Sequence, residues 1–395
     1  MKMKILYVYG RTKEKGYVHT LRKLGYEVDE YFEKQNDYWA NNEEIEKLMV
    51  YIRENAITHL LSIHMLPNLS VAAFNTEIKY IAMLWDAPVL LMNTIFGKLD
   101  NLWVSSYDRM DCERFKRNGT KHVLYQPLTA DKDGLLKWNV KRRLQGNYFN
   151  DISFVGRLYE KNLYDTQVNK IPANMQNYFT SIMEETAFQW DGKNRILGTV
   201  DKEILDYIKL VSPNFKLDNP YDEKDERYFE VRYLFPKIAN IERVCCLNLL
   251  AEQYDLTFYT DSDIKEGLLS PKVKRMPSVI PGEAISLVYA GSKINLNISL
   301  RGMEGGTPLR IPEIMGAGGF VLSSFGEETA ELFEEDKEIV MFRTPEELME
   351  KADYYLAHDK EREKIASAGQ QKVLREFTHE RKMKKLLEWV EGESQ

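Results

Sequence analysis

Between Lys293 and Ser324 the chain reads KINLNISLRGMEGGTPLRIPEIMGAGGFVLSS, and these residue types could hold a charged, hydroxyl-bearing ligand. Arg310 and Glu313 fall in the first turn of a helix predicted over 310–317. The arginine can meet a phosphate, the glutamate a pair of sugar hydroxyls. The free N–H groups and positive dipole end of such a helix attract an anion. Gly305, Gly306 and Thr307, just before it, let backbone approach a ligand, and Arg301 at the head of the loop is a further candidate contact. The plainer reading is a βαβ unit whose glycines serve packing and whose charges pair at the surface. Spacing alone does not choose between the two.

Upstream, Asp151–Val155 reads as a strand running into Gly156 and Arg157, with Lys161 four residues later. Two cations and a glycine near a helix start would clamp a diphosphate; a surface pair with Glu160 is the alternative. His64 and Asp86 each end an apolar run, 57–63 and 80–85. In open α/β sheets ligands bind outside the carboxyl ends of strands, so both are candidates to touch a sugar. A turn or helix cap accounts equally for Asp86, and a lone histidine is commonly structural. Asp261 and Asp263 could hold a divalent cation, although turn chemistry explains Asp-Ser-Asp adequately. His and Cys show no zinc-ligand spacing.

These residues need a scaffold of alternating strands and helices. Residue 3 opens a buried run ending at Tyr9, followed by a helix over 16–24 and a strand at Glu27-Val28, the start of a doubly wound domain. It lacks the glycine fingerprint of dinucleotide binding. A second such domain restarts at Asp151, and 164–250 breaks its rhythm with helices over 174–188, 202–210 and 228–251. Pro312 is tolerable only in the first turn of its helix, and Gly318-Gly319 stops that helix before the run at Phe320. Thr344 and Glu347 form a capping box for a helix over 344–358. The resulting expectation is α/β: an N-terminal Rossmann-like domain over 1–135, a hinge over 136–150, and a second over 151–375 with a helical insertion at 164–250. A C-terminal helix over 376–395 would cross back to the first domain.

At 395 residues and 44% hydrophobic, the chain can bury two cores. A net charge of −7 argues against general binding to nucleic acid or an anionic membrane. Three cysteines, two of them adjacent, form no disulfide framework, which fits a reducing cytoplasm. No apolar run approaches the roughly 20 residues of a membrane span, and Ile5–Tyr9 is too short for a signal-peptide core.

The pattern from Ser292 through Asn297 to Gly306, Pro308, Arg310, Glu313 and Gly318-Gly319-Phe320-Val321-Leu322 resembles glycosyltransferases related to bacterial spore-maturation proteins. Trp85-Asp86-Ala87-Pro88, the segment 101–108 and Tyr125-Gln126-Pro127-Leu128 are similar to their N-terminal half, and Phe154-Val155-Gly156-Arg157-Leu158 with Lys161 to their second domain. The resemblance implies a GT-B fold, two Rossmann-like domains facing a cleft, with Glu313 on the nucleotide ribose and the 302–307 loop against the donor diphosphate and sugar. It also implies Arg157 and Lys161 on the leaving diphosphate. The family often carries a glutamate eight positions before its ribose glutamate; here Gly305 stands there, with Glu304 beside it as a substitute.

The expected function is transfer of a sugar from a nucleotide-diphosphate sugar to an acceptor, retaining and metal-independent. No cofactor or metal is expected. Asp86, Glu304 and His64 are the catalytic candidates; Arg157, Lys161, Arg301, Gly305, Gly306, Thr307, Arg310 and Glu313 the nucleotide-sugar contacts. The expected partners are the nucleotide sugar and a sugar or protein acceptor, with neither nucleic acid nor a membrane span, and a homodimer is open. Two alternatives stand beside this: a non-catalytic nucleotide- or glycan-binding protein of surface-layer assembly, favoured by Gly305, and a sugar-nucleotide epimerase on the same fold.

Overall fold

The computed structural model describes residues 3–10, 14–33, 39–168, 170–212 and 214–392. Within them the chain forms two six-stranded sheets, every strand pair parallel. The first comprises β1 (Lys4–Tyr9), β2 (Glu27–Phe32), β3 (His59–Ile63), β4 (Lys79–Leu84), β5 (Leu102–Ser106) and β6 (His122–Tyr125). The second comprises β7 (Asn150–Val155), β8 (Leu256–Thr260), β9 (Lys274–Pro277), β10 (Ser292–Asn297), β11 (Val321–Ser324) and β12 (Val340–Phe342). Parallel strands covered by helices on both faces are buried throughout. That is why the inner strands read as unbroken apolar runs such as Ile5–Tyr9 and Tyr80–Leu84.

The spatial orders are β2-β1-β3-β4-β5-β6 and β12-β11-β10-β7-β8-β9. Each sheet therefore reverses its winding at one place, between β1 and β3 in the first and between β7 and β10 in the second. Those reversal points are where open α/β sheets bind ligands, at the carboxyl ends of the strands.

The chain divides into two compact units. One holds the residues up to Asp131, the short stretch Glu304–Leu309 and the residues from Glu376 onward; the other holds Lys132–Met303 and Arg310–Arg375. In the first unit, helix His379–Gly392 buries Met383, Leu386, Leu387 and Val390 against Ile5, Tyr7, Ile81 and Trp103. Lys79 Nζ closes on the Val390 carbonyl at 2.6 Å. The core of the second unit gathers Phe154, Phe258, Leu296 and Leu322 with Leu247 and Leu250 of helix Phe235–Gln253.

Three local outcomes differ from the sequence reading. Helix Pro67–Asn75 follows β3 where no element was expected. The stretch 136–150, for which no element was expected, holds the end of helix Lys132–Trp138 and all of helix Val140–Leu144. The single helix expected over 228–251 is three pieces: Asp225–Phe229, a π-helical turn Glu230–Leu234, and Phe235–Gln253. Pro236 has no N–H to give its preceding turn, so a wider turn absorbs the break. Thr344 caps helix Pro345–Ala357 by accepting from the Glu347 amide at 3.2 Å, while Glu347 reaches the Arg343 amide. Among the described residues no helix is long and apolar enough to cross a membrane.

Candidate functional site

The second unit concentrates cationic chemistry at its reversal point. β7 ends at Val155 and β10 at Asn297, and helix Arg310–Gly316 begins beside both. Arg310 donates to Asn297 Oδ1 at 3.1 Å, and its guanidinium lies 5.5 Å from the centre of the Phe154 ring. A Cβ on Gly156 would come within 3.1 Å of Arg310 Nη2, so a side chain there would crowd the guanidinium. Glu313 sits partly buried one turn along the same helix. At seven residues the helix offers only one turn of free amides. Its far end is fixed instead: Gln370 Nε2 donates to the Gly316 carbonyl at 3.0 Å and Lys141 Nζ to that of Gly318 at 3.3 Å.

Arg157 and Lys161 lie in the loop after β7. Arg157 makes a forked contact with Asp261, 3.2 Å from Nε and 3.0 Å from Nη2, and Lys161 meets Asp263 at 2.9 Å. Those bonds lower both carboxyl pKa values. Asp261 and Asp263, considered as cation ligands, are thus each matched to a basic side chain. Among the described residues no cluster of three or more His, Cys, Asp or Glu side chains could hold a metal. With the Arg157 and Lys161 side chains 71% and 72% exposed, solvent screens both pairs and they add little to stability. Either cation can leave its aspartate for a phosphate at small cost.

Arg301 stands apart from this group. Its Nε pairs with Glu242, a wholly buried carboxylate of helix Phe235–Gln253, and its Nη2 donates to the Thr186 carbonyl at 2.7 Å.

In the first unit, His64 follows β3 directly and Asp86 follows β4 by one residue. His64 Nδ1 lies 3.6 Å from Asp86 Oδ2. His64 holds φ at 65°, a region strained for a side chain of its size. The Met83 carbonyl accepts its amide at 2.7 Å, and its own carbonyl accepts from Ser62 Oγ and the Tyr80 hydroxyl. The backbone is therefore fixed while the ring remains partly exposed. Asp86, 82% exposed, precedes a cis Ala87–Pro88 bond.

Glu304, Gly305, Gly306 and Thr307 are held within the first unit by Asp108, the N-cap of helix Arg109–Arg117. Asp108 Oδ2 accepts from the Glu304 and Gly305 amides at 2.9 and 3.0 Å, and the Gly305 carbonyl accepts from the Arg109 amide at 2.9 Å. Any Cβ on Gly306 would strike the Tyr107 ring at 2.8 Å. Arg114 bridges the Glu304 and Asp111 carboxylates. Burial, aided by the Asp108 charge and opposed by Arg114, pushes Asp111 up to about 7. The glycines serve close packing against this cap.

Sequence reasoning missed Asp108, Arg114 and the neighbours Glu242 and Arg243. The available signal for the last two was a pair of charges inside the otherwise apolar segment 238–251.

Residues 249–388 match the family model described as glycosyl transferase-like. No curated protein matches the chain in sequence. Among solved structures, the sucrose-phosphate synthase from Thermosynechococcus elongatus is similar at TM-score 0.56 and 11% identity, over 99% of this chain and 100% of that one. A candidate UDP-N-acetylglucosamine 2-epimerase from Listeria monocytogenes is similar at TM-score 0.50 and 11% identity, over 100% and 97%. At such identities the likeness establishes the fold.

The fold is that of the GT-B class, with two Rossmann-like units. The stretch that resembles the glycosyl transferase-like model, residues 249–388, includes the β10 edge with Arg310 and Glu313.

Proposed function

We propose that the chain transfers a sugar from a nucleotide-diphosphate sugar, with the diphosphate against Arg310 and the ribose hydroxyls on Glu313. The observation carrying this reading is Arg310, laid over Phe154 at the β7/β10 reversal with Gly156 leaving it room. A planar guanidinium with donors on two sides suits a phosphate oxygen pair. Arg157 and Lys161 are proposed to join it by exchanging Asp261 and Asp263 for phosphate. Arg301 is proposed to support the loop rather than touch the donor, given its bond to Glu242.

Asp86, steadied by His64, is proposed to face the sugar as positive charge develops at its anomeric carbon, where a fixed carboxylate is most effective. Glu304 would take part by exchanging Arg114 for a sugar hydroxyl, with Gly305, Gly306 and Thr307 bordering it. Retention of configuration and independence of metal belong to the proposal. In this reading Arg310, Arg157 and Lys161, rather than a metal cation, meet the diphosphate charge. A cytoplasmic setting in a bacterial cell is proposed with them.

The test is incubation with a panel of nucleotide sugars carrying UDP, GDP, TDP and CDP, with and without EDTA. Release of free nucleotide that EDTA leaves intact is the expected result. Loss of turnover in EDTA, restored only by Mn²⁺, would remove the metal-free mechanism. Binding without turnover would indicate a non-catalytic protein, and interconversion at C2 an epimerase.

A further inference from the structure

Helix Phe235–Gln253, the last of the insertion, carries Arg243, a residue to which the mechanism above gives no role. Its side chain is buried, the residue 5% exposed. Nη1 donates to the Arg157 carbonyl, just past β7, and Nη2 to the Ile298 carbonyl, just past β10, at 3.1 Å. One guanidinium therefore ties together the two strand ends that flank the reversal point. The same group lies 5.5 Å from the Phe154 ring and 4.9 Å from that of Tyr159. Phe154 is also the ring over which Arg310 lies, at 5.5 Å.

Two arginines gathered on one aromatic ring ordinarily call for a carboxylate between them, because buried charges are expensive unless paired. Arg243 is held by two backbone carbonyls and Arg310 by the Asn297 side chain, with the Glu242 charge acting on Arg243 from the adjacent position. Glu242, the adjacent carboxylate on the same helix, is bound to Arg301. The Nε of Arg243 has no partner among the described residues. Burial lowers the Arg243 pKa to about 10, with the Arg310 charge acting in the same sense and Tyr159 and Glu242 against it. A positive centre held this way, at the place where α/β sheets receive ligands, favours an anion there.

We propose that Arg243 is a positioning residue of the donor site, which sets the spacing of the β7 and β10 ends and adds a buried positive charge beside the half-buried Arg310, tuning the site to a diphosphate over a monophosphate. This rests on the reading that a nucleotide donor binds at this edge. Arg243 acts through the loops that it holds and through its field, without touching the ligand. The insertion is then part of the binding apparatus.

The experiment is equilibrium binding by calorimetry. The probes are whichever of UDP, GDP, TDP and CDP stabilises the wild-type chain most, and the corresponding monophosphate. Arg243→Gln is expected to weaken the diphosphate at least tenfold and the monophosphate less than threefold. Arg243→Lys keeps the charge but cannot reach both carbonyls; it is expected to fall between, and it carries the test if the glutamine variant does not fold. Equal losses for the two nucleotides, or none in either variant, would overturn the proposal while leaving the donor reading intact. A wild-type chain that binds none of the four diphosphates would overturn both.

Discussion

Between β1 and β3, and again between β7 and β10, the chain turns a sheet's winding around, and the two places are furnished very differently. At the first stand a histidine in a strained backbone conformation and an exposed aspartate 3.6 Å away. At the second stand Arg310 and Arg243 over Phe154, with Arg157 and Lys161 in the adjoining loop. One edge offers a carboxylate and a titratable ring, the other guanidinium groups on an aromatic floor. Equivalent topology thus supplies two different surroundings, and the side chains decide what each suits: a positively charged group at one, an anion at the other.

Substitutions that remove this contrast are the direct way to break the comparison. Asp86→Asn, which keeps shape and discards charge, is expected to lower turnover by about 10²- to 10³-fold while leaving nucleotide affinity unchanged. Steady-state kinetics beside nucleotide binding would check it, and a matching loss of affinity would place Asp86 at the wrong edge. Arg310→Gln is expected to weaken nucleoside diphosphate binding by roughly 10- to 100-fold, the value of a hydrogen bond to a charged group. Glu313→Gln should cost about tenfold for a nucleotide, with inorganic pyrophosphate unaffected, since the ribose alone is lost. Direct titration separates these two variants.

A smaller effect concerns the packing of the first unit. Lys382 of helix His379–Gly392 is buried, with its Nζ 3.2 Å from the Pro127 carbonyl, and burial lowers its pKa to about 7. Between roughly pH 7 and 10 the unfolded chain binds a proton that the folded chain does not, so stability from this group rises with pH across that window. Lys382→Met is therefore expected to raise the thermal midpoint by several degrees at pH 7 and by less at pH 10. A gap that does not narrow as pH rises would show that Lys382 stays charged in the folded state.

The elements that carry these residues were largely readable. Runs such as Ile5–Tyr9 and Ile294–Asn297 have the length and branching of buried strands, and Gly318-Gly319 marks the end of the Arg310 helix. Local chemistry also placed Arg310 and Glu313 at the start of that helix and Asp86 at a strand end. Long-range partners were not legible, because nothing local encodes them. Arg157 meets Asp261 across 104 residues, and Asp108 receives the Glu304 amide across 196. Arg243 reads as one of several charges on a mostly apolar helix until the fold brings the ends of β7 and β10 to it. Gly305 and Gly306 show the same limit: a glycine needed for close packing looks, in sequence, like one needed for a ligand.

The central claim is that the β7/β10 edge grips the nucleotide end of an activated sugar. A structure of the chain bound to the nucleoside diphosphate that stabilises it most tests this directly. The account predicts the diphosphate within hydrogen-bond reach of Arg310 and the ribose on Glu313. A diphosphate found at the β1/β3 edge, beside His64 and Asp86, would contradict it.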